Sequence, residues 1–263
     1  MKLADVYKII DEVAPKTLSD EYCQRFGAYD NSGILIDTGA DVTGVTFSLD
    51  FSLAAINAAK QSGANLIVTH HPAIYGKIGD IRVNDFQPLG EKLATCLKHG
   101  ISVISMHLNL DSAIGGIDES LAQAVGSNGE ETLMHTLSAG GYGRAYNIQQ
   151  TTLLQLSEHL KTTLHTKRIL IYGEEAQTVT RVASFCGGGA DEEAVAFAYG
   201  QGANVLISAD IKHHVLTLAQ ERGIAVIALT HYASENYGFE KFYQKIRQKI
   251  CVPCGYHTDE SFL

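Results

Sequence analysis

Apolar residues alternate along this chain between two spacings. Leu3 to Val13 carries its apolar positions at helical intervals, and Pro15 marks the stop of an opening surface helix. The turn-rich Asp30-Asn31-Ser32-Gly33 then leads into a short apolar strand, ILI. After it come a strand in VTGVTFSLD, a helix in FSLAAINAAKQSG ending on Gly63 and a strand in ANLIVTHH. A helix in PLGEKLATCLKHG ending on Gly100, a strand in ISVISMHLNLD and a helix in GIDESLAQAVG complete the first half. These strands are almost continuously apolar, as strands covered on both faces must be, and their alternation with helices predicts a mostly parallel sheet.

The second half repeats the plan: a strand and Gly-rich turn in VTRVASFCGGG, a helix in DEEAVAFAYGQG, a strand in ANVLISAD, a helix in VLTLAQERG, a strand in IAVIALTHY, and a terminal helix from about Ser234 to Lys249. The wording repeats too. VTGVTFSLD at Val42 matches VTRVASFCG at Val179, QSGANLIVTHH at Gln61 matches GQGANVLISAD at Gly200, and HGISVISMH at His99 matches RGIAVIALTH at Arg222. Three matches in one order indicate internal duplication. The predicted fold class is α/β, two similar halves with mostly parallel, helix-covered sheets. Residues 127–178 do not fit the repeat: a turn-rich stretch precedes an amphipathic helix, TTLLQLSEHLKTTL, and a strand, RILIYG. The expected organisation is a first lobe over 1–126, a second over 127–234, and a C-terminal helix and tail over 235–263, the helix being free to return to the first lobe.

Composition narrows the function classes. The 263 residues are 45% hydrophobic and 19% charged, with no low-complexity tract, so the chain folds throughout. Its formal net charge of −9, with 20 scattered Lys and Arg, argues against a nucleic-acid binder. Asp5, Lys8, Asp11 and Glu12 interrupt the N-terminal apolar positions, leaving neither a signal-peptide core nor a membrane span. A cytoplasmic protein is expected. The odd number of cysteines, five, reads as reduced thiols. CVPC, Cys251 to Cys254, has redox or zinc half-site spacing, but no second CxxC accompanies it, and free thiols are the plainer reading.

In parallel α/β sheets, ligands gather beyond the carboxyl ends of the strands. His70 and His71 close NLIVT; His107, Asn109 and Asp111 follow ISVIS at alternate positions; His231 closes IAVIALT, with Glu235 four residues on. An i, i+4 pair at the opening of a helix puts imidazole and carboxylate on one face. A lone histidine at a strand end is ordinarily a hydrogen-bonded structural residue, but five donors at three equivalent strand ends favour metal. On an extended chain His70 and His71 project in opposite directions, which suits two adjacent ions better than one. Asp111 and Glu235 can then bridge, each having two oxygens. Imidazole with carboxylate suits Zn, Fe, Mn, Co or Ni better than Ca or Mg. His107 and Asn109 read as orienting or structural groups. His213 and His214 open a helix and face a cleft or solvent, where substrate contact is the stronger of two weak roles. Gly187, Gly188 and Gly189 precede a helix N-terminus: either they hold an anion on exposed N–H groups, or they form a tight turn with Asp191 as N-cap.

These motifs resemble the dinuclear-metal-centre family of type 2 GTP cyclohydrolase I homologues, also called the Nif-three-like family, over essentially the whole chain. YDNSGILI resembles its D-N-x-G stretch, THHP its paired histidines, and MHLNLDSAIGGIDESLA its H-x-x-L-D with the following Gly-Gly turn and helix. CGGGA resembles its glycine-rich turn, SADIKHH its T/S-G-D-x-K-x-H stretch, and HYASE its H-x-x-S-E. Ala209 stands where the family usually has glycine. The resemblance implies two metal ions per chain held by His70, His71, Asp111, His231 and Glu235, the five residues chosen above on position and chemistry. It further implies two related α/β domains facing a shared metal-binding cleft, assembly into a toroidal homohexamer, and the short form of the family, without an inserted domain.

Two cations about 3.5–4 Å apart acidify a bridging water and polarise a substrate oxygen, which makes hydrolysis the default chemistry. The expectation is a metal-dependent hydrolase resembling GTP cyclohydrolase 1 type 2, acting on a purine nucleotide. His107, His213 or His214 would relay protons and the Gly187–Gly189 turn would seat the triphosphate. The alternatives are a metal-dependent phosphoesterase, or a metal-holding, metal-delivering or regulatory assembly protein without turnover.

Overall fold

A computed structural model describes all 263 residues as ten α-helices and eleven strands in two sheets. No helix is long and apolar enough to cross a membrane. The chain divides into two compact units, Met1–Ala113 with Phe239–Thr258, and Ile114–Gly238 with Asp259–Leu263.

Unit 1 contains α1 (Leu3–Asp11), α2 (Lys16–Phe26), β1 (Gly33–Ile36), β2 (Val45–Ser48), α3 (Leu53–Ser62), β3 (Leu66–Thr69), α4 (Leu89–His99), β4 (Ser102–Ser105) and α5 (Leu108–Ser112). Late in the chain it regains the second half of α10 (His231–Ile246) and β11 (Cys254–His257). Its sheet runs β1-β4-β3-β2-β11, parallel except for β1, which lies antiparallel to β4. Ile56, Ile67, Leu93, Cys96 and Val103 pack one face into a buried cluster. The Ser52 hydroxyl caps α3 by accepting from the Ala55 N–H, a bond of the kind that contributes about 1 kcal/mol.

Unit 2 contains α6 (Ile117–Val125), β5 (Glu131–Thr136), β6 (Gly141–Thr152), α7 (Leu153–Thr163), β7 (Ile169–Tyr172), β8 (Thr178–Ser184), α8 (Glu192–Gly200), β9 (Val205–Ala209), α9 (His213–Glu221), β10 (Ala225–Leu229) and the start of α10. Its sheet runs β5-β6-β8-β9-β10-β7. Only β8, β9 and β10 are mutually parallel; β5, β6 and β7 join antiparallel. The mostly parallel character expected of both sheets therefore holds fully in unit 1 and only for the centre of unit 2. Ala183, Phe185, Val195, Leu206, Val215 and Val226 form its buried cluster.

The repeated plan is visible in topology. β1-β2-α3-β3-α4-β4, ordered β1-β4-β3-β2, has its counterpart in β7-β8-α8-β9-α9-β10, ordered β7-β10-β9-β8. In each, the strand that opens the run lies antiparallel beside the strand that closes it.

Several expectations need correction. The opening helix stops at Asp11, ahead of Pro15 as expected, but Pro15 also opens a second helix as the N-cap of α2, a position where its missing N–H costs nothing. The turn-rich stretch after residue 127 forms the β5–β6 hairpin. His107, Asn109 and Asp111 do not continue a strand, because the chain turns into α5 at Leu108. The terminal helix begins at His231 and not near Ser234. The boundaries at 126 and 234 also move. Asp118 on α6 accepts from Gly143 N–H and from Arg144 Nε on β6, which ties α6 to unit 2. Strand β11 pairs with β2 in parallel, which ties residues 254–257 to unit 1. A Cβ on Gly238, the last residue of α10 in unit 2, would stand 2.8 Å from Ile117 Cα, so glycine there allows α10 to pack tightly on α6.

Candidate metal centre

In unit 1 the site begins where β3 ends. The N–H groups of His70 and His71 both donate to Leu49 O, at 3.1 and 3.0 Å. Successive N–H groups of an extended strand point to opposite sides, so this shared acceptor marks a bend. The bend brings the two rings to one side, with centroids 4.8 Å apart, and the opposite projection expected of an extended chain does not occur. The His107 ring completes a triangle, 5.1 Å from His70 and 5.9 Å from His71. These three histidines offer ligand nitrogens all within 4.8 Å of one another, a group able to hold a metal ion. Asp111, almost buried, lies four residues beyond His107 with Oδ1 3.5 Å from His70 Nε2. Asn109 has a different task, its side-chain amide donating to Ala14 O and tying α5 to the link between α1 and α2.

In unit 2, His231 opens α10 and its Nε2 lies 3.1 Å from Glu235 Oε1 one turn on. Glu235 is almost buried. The Gly187–Gly189 turn supports this pair. Gly187 has φ +57, and a Cβ there would overlap Glu235 Oε1 and crowd His231 Nε2, so glycine is required both for its conformation and for the approach of the carboxylate. Its N–H donates to Ser234 Oγ, and its carbonyl accepts from Ala209 N–H and Ser208 Oγ. Gly189 lies against the Tyr142 hydroxyl, which donates to Cys186 O. Asp191 is the N-cap of α8, accepting from Ala194 N–H.

The imidazoles share one feature. Nδ1 of His70 meets Met106 O at 2.8 Å, Nδ1 of His71 meets Asp50 Oδ1 at 2.7 Å, Nδ1 of His107 meets Asp30 Oδ1 at 2.8 Å, and Nδ1 of His231 meets Asp210 Oδ2 at 2.6 Å. An oxygen acceptor at Nδ1 fixes the proton there and leaves Nε2 as the lone-pair nitrogen, the arrangement that surrounds metal-binding histidines. Asp210 adopts φ +50, a left-handed conformation uncommon outside glycine and tolerated best by Asn and Asp. Each unit thus places imidazole nitrogens beside one buried carboxylate, donors of a kind that could hold a divalent metal ion.

Asp30, Asp50 and Asp210 were not singled out from sequence as orienting groups. Each lies at a strand end or in the Asp30–Gly33 turn, and that carboxylate-at-strand-end pattern is the signal that could have found them. His213 and His214 open α9 as exposed residues, and His214 Nε2 pairs with Glu192 Oε1 at 2.9 Å. All five cysteines are free; Cys251 is exposed, while burial pushes the Cys254 thiol up.

Residues 1–255 match the family described as Duf34/NIF3 (NGG1p interacting factor 3). The Clostridium perfringens protein named "GTP cyclohydrolase 1 type 2 homolog" is 28% identical over 255 residues, covering 95% of this chain and 93% of its own. Staphylococcus aureus hypothetical protein SA1388 has a similar crystal structure, with a TM-score of 0.84, 25% identity and coverage of 98% of this chain and 97% of its own. The structure of reduced HcgD from Methanocaldococcus jannaschii shares the fold, with a TM-score of 0.81, 24% identity and coverage of 97% of each chain.

Proposed function

The chain belongs to the Duf34/NIF3 family, and from that premise we propose that it is a metal-dependent hydrolase. In this reading His70, His71 and Asp111 of unit 1 and His231 and Glu235 of unit 2 hold two divalent cations. The observation that carries the proposal is the uniform pinning of Nδ1 on oxygen at His70, His71 and His231, which presents Nε2 as donor. When bound, such a pair of cations acidifies a water and polarises a substrate oxygen. The protein's part is to keep the imidazoles in one tautomer, through Met106 O, Asp50 and Asp210, and to supply two carboxylates with bridging capacity. A purine nucleotide is the first substrate to test, because the curated relatives are named as GTP cyclohydrolase 1 type 2 homologues.

One observation favours a second reading, a metal-holding protein without turnover. The Gly187–Gly189 turn, the expected triphosphate seat, has its Gly187 N–H engaged by Ser234 and packs against Glu235. GTP turnover followed by loss of the purine chromophore, with the thermal shift induced by GTP, separates the two. Hydrolase action predicts turnover and a raised melting temperature in the metal-loaded protein, with turnover lost in Glu235→Gln. An unchanged chromophore and no thermal shift contradict it and favour the metal-holding reading.

A further inference from the structure

We infer that Cys251 and Cys254, at the turn from α10 into β11, form a reversible thiol–disulfide pair in which Cys251 exchanges with a small anionic disulfide of the glutathione class and Cys254 closes the bond. Neither residue belongs to the site described above, and the pair stands or falls independently of it.

Three features carry it, and the first is reach. Residues three apart on an extended chain stand about 10 Å apart, beyond the roughly 4.4–6.8 Å between Cα atoms that a disulfide spans. Here the chain bends at Cys251 and Val252. The Cys254 thiol is turned back along that bend, donating to Val252 O at 3.4 Å. Pro253 has one backbone dihedral fixed by its ring, which limits the freedom that closing the bond would remove. The second feature is a division of roles. Cys254 is anchored: it pairs with Val45 of β2, its carbonyl accepts from the Tyr243 hydroxyl at 3.3 Å, and the preceding Pro253 O accepts from Val45 N–H at 2.9 Å. Cys251 lies ahead of this ladder and is exposed. Burial pushes the half-buried Cys254 thiol up, with Arg247 pulling against it, so Cys254 is the poorer first nucleophile and Cys251 meets the incoming disulfide.

The third feature is charge. Lys241, Lys245, Arg247 and Lys249 are exposed along the end of α10 and just beyond it, and no acidic residue occurs between Lys241 and Cys254, in a chain whose net charge is −9. Such a stretch attracts an anionic disulfide and favours the thiolate that attacks it. Cys251, as thiolate, attacks one sulfur of oxidised glutathione, and one glutathione leaves as a thiolate and takes up a proton. Cys254 then gives up its proton and attacks the Cys251 sulfur of the mixed disulfide, expelling the second glutathione. Two protein thiols are oxidised, and one glutathione disulfide is reduced to two thiols. In a reducing compartment such a pair is open at rest and closes under oxidation, which is the usual role of disulfides there.

The test equilibrates the full folded chain, without oxygen, in mixtures of reduced and oxidised glutathione, then quenches with acid, alkylates the remaining thiols and digests with trypsin. Cleavage after Lys249 releases residues 250–263, which hold both cysteines and no other. Wild type is expected to lose both alkylation sites on this peptide together, its mass lowered by two hydrogens, while the buried Cys96 and Cys186 stay reduced. Cys254→Ser should hold one glutathione on Cys251, and Cys251→Ser should leave Cys254 a thiol. The folded chain should need about tenfold less oxidised glutathione for half-conversion than a synthetic 250–263 peptide, because the β2–β11 ladder holds Cys254 in place. Both thiols still open to alkylation at the highest oxidised fraction would overturn the inference. A wild-type chain that stops with glutathione on Cys251, or that oxidises no more readily than the free peptide, would overturn it as well.

Discussion

Asp30 and His107 set each other's charge. Burial opposes ionisation of Asp30, but hydrogen bonds from His107, Ser19 and Ser32 outweigh it and hold the carboxyl well below the usual range. Burial also pulls His107 down, and the Asp30 hydrogen bond with the charges of Asp111 and Asp30 outweighs that, leaving it raised. A depressed carboxyl stabilises the fold above its unfolded value of about 3.9 and loses that contribution as pH falls toward its folded value. In metal-free protein, Asp30→Asn should therefore lower the melting temperature at pH 6 and flatten its fall below about pH 4. An acid limb identical to wild type contradicts this. Little of the pair was legible in sequence. The candidate ligand histidines announce themselves because imidazoles are unusual at the end of an apolar strand, whereas Asp30 reads as an ordinary turn residue and its partner is 77 positions away.

At the scale of elements, α6 is joined to β6 through a buried ion pair. Arg144 Nε meets Asp118 Oδ2 at 2.9 Å, with Glu131 on the same guanidinium and both carboxylates almost inaccessible. Asp118 also accepts from the N–H groups of Gly143 and Cys186, so one side chain connects α6, β6 and the glycine-rich turn. Removing one partner of a buried pair leaves the other uncompensated, and Asp118→Ala should cost about 3 kcal/mol in urea unfolding, with Asp118→Asn milder. A cost below about 1 kcal/mol contradicts the assignment. The βαβ elements were readable because burial on both faces leaves apolar runs, closed by helix-stopping glycines such as Gly63 and Gly100. α2 and the β5–β6 hairpin were not. Proline is as good an N-cap neighbour as a helix stop, and GYGRAYNIQQTT alternates too weakly, with glycines at its start, to read as a long strand.

For the whole molecule, the duplicated plan accounts for both the legibility of the fold and the distribution of donors. The same four-strand run occurs twice, and each copy ends in a histidine followed four residues later by a carboxylate. Sequence matches exposed the duplication. They did not expose where the units divide, because α6 and the end of α10 belong to their units through proximity to distant parts of the chain, which local patterning does not encode. The most direct measurement is metal content per chain in protein purified without added chelator, wild type beside His70→Ala and His231→Ala. The account predicts two divalent ions per wild-type chain and a clear loss in each variant, with both variants folded by circular dichroism. Wild type without bound metal, or variants with undiminished content, would contradict it.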